Sequence, residues 1–187
     1  CDAVRRMVDS GLSCSIAMAV NGISVPHMAD MVRIVDSLGS HSLHFMWHLP
    51  RGMGRSLKAL IAADLIARFR EAAAEARARG VVIDNLEAMR AQVFSPPGTR
   101  FDFGNAAWES LTIGPDESIY PTPATVDVAA VCAGSAKGGI EPVWRDSPVL
   151  KRIRQASLTD IRGMADDPWR FIIGGGDIDQ CVTNSDI

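Results

Sequence analysis

Three of the four histidines, His41, His44 and His48, lie within eight residues of one another, and imidazole can both bind metals and move protons near neutral pH. In an extended segment His44 and His48 share a face and His41 points the other way. At about 3.3 Å per residue, His44 and His48 stand about 13 Å apart, too far to share one ion. A helix would bring the pair together, but Phe45-Met46-Trp47 followed by Pro50, Arg51 and Gly52 favours a strand. A metal-dependent hydrolase built on the three histidines is therefore the weakest reading. His48 keeps its interest because it ends a strand, where barrel sites form. Asn21 also ends an apolar run and could reach a ligand or cap a turn. Arg51 and Arg55, with glycines between them, could hold a carboxylate or phosphate or simply cap the next helix. Gly174-Gly175-Gly176-Asp177 lacks the lysine and helix of a phosphate loop and reads as a tight turn. Asp177 and Asp179 lack the further oxygens that a cation needs.

The elements that must position these residues alternate in the first half. Asp2–Gly11 reads as a helix and Leu12–Val20 as a buried strand. Asn21 and Ser24 offer caps, Pro26 fits an early turn, and Met28, Met31, Val32, Val35 and Leu38 recur at helical spacing up to Gly39. His41–His48 is the next strand. Ser56–Arg79 reads as the longest helix, with Leu57, Ile61, Leu65 and Phe69 on one stripe and Gly80 as its stop. Val81–Ile83 starts a third strand. Strands separated by long helices imply parallel pairing, an α/β layer or barrel, and three strands alone cannot close a barrel.

Beyond Ser95-Pro96-Pro97-Gly98 helical periodicity fades and glycine and proline become frequent. The expected boundary lies near residues 94–101, giving segments 1–97 and 98–187. Trp108–Ile113 and Ser118–Tyr120 flank Gly114-Pro115-Asp116-Glu117 as a hairpin, and Ser147–Leu158 reads as a helix with Pro148 at its first position. Trp108, Trp144, Trp169, Tyr120 and Phe171 are expected to form the core of this appendage.

Of 187 residues 47% are hydrophobic, enough for a core, and the net charge of −3 offers no basic surface for nucleic acid. No run approaches a membrane span. Cys1, Cys14, Cys132 and Cys181 are widely spaced, which argues against a disulfide framework and for a reducing, cytoplasmic setting. Cys14 is expected in the core, with Cys132 and Cys181 as spare thiols. The chain opens on cysteine inside a helix and stops at Ile187 without a closing element, which reads as a cut fragment.

The order of hairpin (108–121), Glu141-Pro-Val-Trp-Arg-Asp-Ser-Pro-Val-Leu150 and Gly174–Gly176 resembles the SPASM domain of radical S-adenosylmethionine (SAM) enzymes. Ile16-Ala-Met-Ala-Val-Asn21 is similar to the fifth strand of their partial (β/α) barrel, and His44-Phe-Met-Trp-His48 to the sixth. The resemblance implies that the backbone at Met46, Trp47 and His48, with Asn21, contacts SAM. It implies SAM and one 4Fe-4S cluster in the intact parent, an electron donor, and a peptide, protein or small-molecule substrate. The cluster motif C-x3-C-x2-C is absent from the chain, so the fragment alone is expected not to cleave SAM. The places of the SPASM cysteines fall on Asn105, Thr122, Met164, Asp167, Ile173 and Asp177, none a thiol, so the usual auxiliary clusters are not expected. The alternative is a clusterless peptide-binding or accessory module without redox activity.

Overall fold

The computed structural model describes residues 1–57, 60–94, 106–157, 167–169 and 178–179. The chain is mixed α/β and falls into two units, Cys1–Ser95 and Pro96–Ile187.

In the first unit, helix α1 (Asp2–Asp9) buries no side chain and leads to strand β1 (Ser15–Val20). A 3-10 turn at Val25–His27 feeds helix α2 (Met28–Ser37), which ends before Gly39 at φ +72°. Strand β2 (Ser42–Trp47), helix α3 (Ala62–Arg79), strand β3 (Val82–Ile83) and helix α4 (Asp84–Phe94) complete the unit. The strands pair in parallel in the order β1-β2-β3, as the strand–helix alternation requires.

Period-two alternation divides this sheet into unlike faces. Val20, Leu43, Phe45 and Ile83 are buried on one face, packed with Met28, Val32 and Val35 of α2 and Ala72 and Ala76 of α3. Ser15, Ala17, Ala19, Met46 and Val82, with half-exposed Ser42 and His44, belong to the other. Parallel sheets are usually covered on both faces, so an open face is the informative departure.

Two expectations for this unit are corrected. The long helix starts at Ala62 rather than Ser56, because residues 52–56 form a 3-10 turn whose Gly54 carbonyl accepts the Leu57 amide at 3.0 Å. Leu57 and Ile61 have extended backbone and exposed side chains, so the buried stripe runs from Leu65 and Phe69 to Ala72 and Ala76. Cys14 is half-buried rather than core. Helix α4 is an addition that the sequence reading did not contain.

An ion-pair ladder ties α2 to α3. Arg33 meets Glu75 at 3.0 Å, Arg79 meets Glu75 at 2.7 Å, and Arg79 reaches back to Asp36 at 2.8 Å. The Arg79 hydrogen bond, aided by Arg33, holds the Glu75 carboxyl below the ordinary glutamate range, with desolvation opposing it. A lowered folded-state pKa contributes stability above the unfolded value and loses it as pH falls through the folded one. Glu75→Gln is therefore expected to lower Tm near neutral pH, and the gap to wild type should close on acidification below the usual glutamate range. A thermal-melt series across pH checks it; a pH-independent gap would refute the ladder.

The second unit holds a small antiparallel sheet of β4 (Thr112–Ile113), β5 (Ser118–Tyr120) and β6 (Gly134–Ser135), with helices α5 (Ile140–Asp146) and α6 (Pro148–Gln155). The hairpin forms around Gly114–Glu117 as its turn chemistry predicts. Asp116 accepts from the Ser118 hydroxyl at 2.7 Å and from its amide at 3.1 Å, and Glu117 takes φ +66°. Its first strand is short, since residues 108–111 precede β4 rather than extend it. The expected helix over 147–158 is α6, with Pro148 at its first position.

The aromatic core expected here is corrected. Trp108 and Trp169 are exposed, Tyr120 is buried, Trp144 is partly buried, and Phe171 lies outside the described residues. Ala107, Ile119, Ala133 and Leu150 form the buried cluster instead. Leu111, Val143, Trp144, Val149 and Ile153 pack against it, and Arg154 donates to the Ala107 carbonyl at 2.6 Å while lying 4.6 Å from the Trp144 ring centre.

Candidate functional site

Pairing in register places Val20 opposite Trp47, and the His48 amide donates to the Val20 carbonyl at 2.9 Å. Asn21, Met46, Trp47 and His48 are thereby brought together at the carboxyl ends of two adjacent parallel strands. Open α/β sheets characteristically bind ligands at this edge. The four side chains have different work. Asn21 accepts the Ile23 and Ser24 amides at 2.8 and 3.0 Å, fixing the turn after β1. His48 pairs its Nε2 with the Gly54 carbonyl at 3.0 Å, and a Cβ on Gly54 would lie 2.5 Å from the imidazole. Met46 belongs to the open face, while Trp47 joins Phe45 and Phe69 at ring separations of 6.3 and 6.0 Å. Arg51 caps the 52–56 turn through its carbonyl, which accepts from Gly54 at 3.0 Å.

The histidines do not converge on an ion. His44 Nδ1 stands 3.8 Å from Asp84, whereas His48 is held by Gly54. Among the described residues no group of three or more His, Cys, Asp or Glu side chains could hold a metal.

A second cluster escaped the sequence reading. Asp84 accepts from Ser42 at 2.5 Å and from Ser15 at 3.5 Å, and the two serine hydroxyls are 3.0 Å apart. With His44 these groups line the start of the open face. Next to Asp84, the Asn85 side chain accepts the Phe45 amide at 2.9 Å and donates to the Phe45 carbonyl at 3.0 Å. Strand β3 stops after two residues, and this one side chain supplies β2 with the two bonds that a continued β3 would have given. The same alternation directs the amide and carbonyl of Trp47 past the end of β3. Ser42, His44 and Met46 alternating with Leu43, Phe45 and Trp47, followed later by Asp-Asn after a short apolar run, was the available signal.

Beside this edge lies a cleft of about 530 Å³ between β2, α3 and α4, with His44, Trp47, Phe69, Arg70, Asp84 and Asn85 among its lining.

The described residues do not fit an iron–sulfur cluster. Cys14 precedes β1, at the end of the sheet away from Asn21 and His48, Cys1 is exposed ahead of α1, and Cys132 belongs to the second unit. Of the six places where the resemblance expects SPASM cysteines, Thr122 and Asp167 are described; Asn105, Met164, Ile173 and Asp177 lie outside the described residues, as do Gly174–Gly176 and Cys181. Thr122 is consumed by hydrogen bonds: its amide donates to Thr125 Oγ1 at 3.1 Å, its carbonyl accepts from that hydroxyl at 2.8 Å, and its own hydroxyl donates to Asp179. Asp167 caps a turn by accepting the Trp169 amide at 2.8 Å.

No family model, no curated protein and no solved structure matches this chain. Among the described residues no helix is long and apolar enough to cross a membrane.

Proposed function

We propose that the first unit is the later part of a radical SAM-type partial barrel, and that Asn21, Met46, Trp47 and His48 form the edge that receives SAM. The observation carrying this reading is the one-sided parallel sheet: helices cover Leu43 and Phe45, while Ser15, Ala17, Ala19, Ser42 and His44, with Met46 and Val82, line an open face that would be the inner side of a partial barrel. With a four-iron cluster and an electron donor, SAM supplies radical chemistry on a peptide, protein or small molecule; the thiolates for that cluster would come from residues outside this sequence. Within the chain, Asn21 fixes the first turn, Gly54 holds the His48 ring, and Trp47 offers an aromatic wall with a backbone donor and acceptor suited to a heteroaromatic base.

A clusterless peptide-binding or accessory module without redox activity is the second reading for the chain, favoured by Thr122 being spent in a capped turn where a thiolate would be needed. A SAM titration of the isotopically labelled chain, followed by amide NMR, tests the cofactor edge. Shifts concentrated at Asn21 and Met46–His48 are expected. An unchanged spectrum at large excess, or shifts elsewhere alone, would sink this reading.

A further inference from the structure

The cleft beside β2 shares Trp47 with the cofactor reading but has further features that reading leaves unused. Its volume of about 530 Å³ suits a small molecule, since such sites span roughly 300–1,000 Å³. Trp47 and Phe69, 6.0 Å apart and tilted at 59°, give it an aromatic wall, and Ile66 and Met89 of its lining are more than half exposed. Two polar groups of opposite character complete it. His44 stands 3.8 Å from an Asp84 carboxylate held by Ser42 and Ser15, and Arg70 makes no ion pair with any described residue.

We propose that this cleft takes a small aromatic ligand bearing an acidic hydroxyl, of the phenol class, and that His44 with Asp84 is its acid–base pair. The ring lies against Trp47 and Phe69. With Nδ1 turned to Asp84, Nε2 is the ring nitrogen left for the ligand. The ligand O–H bond breaks and an N–H bond forms at Nε2. The electron pair stays on the ligand oxygen as phenolate, with Arg70 as the balancing cation. Asp84 stabilises the resulting imidazolium, and no electron is transferred. The charged and titratable groups facing this step are Asp84 from α4 and Arg70 from α3; β1 and β2 contribute the Ser15 and Ser42 hydroxyls. A cationic amine would meet Arg70 unfavourably, and a ligand without an ionisable proton would leave His44 idle.

The experiment uses the full chain and p-nitrophenol, whose phenolate absorbs visible light, at a pH below the probe's own pKa. Saturable growth of the phenolate band on adding protein is expected. Trp47→Ala should weaken binding by about tenfold, the scale of a lost aromatic contact. His44→Gln, a change on a half-exposed side chain, should retain binding and lose the rise in phenolate. Absence of saturable binding overturns the proposal. Equal phenolate fractions in bound and free probe overturn it too, as does a wild-type rise in the His44→Gln protein. The SAM titration reads backbone amides at the strand ends, whereas this probe reports proton transfer at His44, so either reading can fail without the other.

Discussion

Phe45→Ala is expected to destabilise the first unit by about 3–5 kcal/mol, the range for removing a large buried aromatic. Phe45 is 1% exposed and is the largest fully buried side chain of the core. It packs edge-on to Phe69 at 5.9 Å and stacks with Trp47 at 6.3 Å, so its loss opens a cavity that neither ring can fill without leaving its place. Met46→Ala, one residue along but on the open face at 48% exposure, should change stability by no more than about 0.5 kcal/mol. Native-state hydrogen exchange at the β1 and β2 amides reads both changes locally, which matters in a chain of two units. Equal losses in the two variants would mean that the face assignment of β2 is wrong.

The second large effect concerns Asn85. Asn85→Leu keeps side-chain bulk but strips the Phe45 amide and carbonyl of both partners. Leaving each such group unsatisfied costs about 1–3 kcal/mol, so with two groups at a half-buried place a loss at the low end of their sum, about 2 kcal/mol, is expected. Asn85→Asp retains the acceptor for the Phe45 amide and loses only the donor to its carbonyl, so it should fall between wild type and leucine. The same exchange measurement, centred on Phe45, checks the order. A leucine variant as protected as wild type would show that water or another donor replaces the amide, and that Asn85 does not stand in for a strand.

Both residues show what the sequence could and could not convey. Alternation in Ser42–Trp47 is legible because period two is local, and the structure buries Leu43 and Phe45 on one face and leaves Ser42, His44 and Met46 on the other. Parallel order followed from helices of sufficient length between strands. The start of α3 was not legible: Leu57 and Ile61 continue the apolar spacing, but the Gly52–Ser56 turn, closed by the His48 imidazole on Gly54, delays the helix. Helix α4 was hidden because Asp84 and Asn85 look like a strand terminus. Their side chains in fact bond across to β1 and β2, at separations of 40 to 69 residues that spacing rules do not reach. In the second unit, counting aromatics failed because Arg154 covers Trp144 while alanines and Leu150 take the interior. Of the candidate site, Asn21 and Met46–His48 were expected from the resemblance, and the parallel pairing of β1 with β2 brings them together. The Ser15–Ser42–Asp84–His44 cluster required the register.

The proposal that this chain is part of a SAM-cleaving enzyme makes a direct demand on the intact protein. It is tested most directly by expressing the protein anaerobically with its upstream coding sequence, adding SAM and a reductant, and measuring 5′-deoxyadenosine. Stoichiometric iron and sulfide and reductant-dependent release of 5′-deoxyadenosine are expected. An upstream region without a C-x3-C-x2-C block, or a protein that carries no iron and leaves SAM intact, would contradict it.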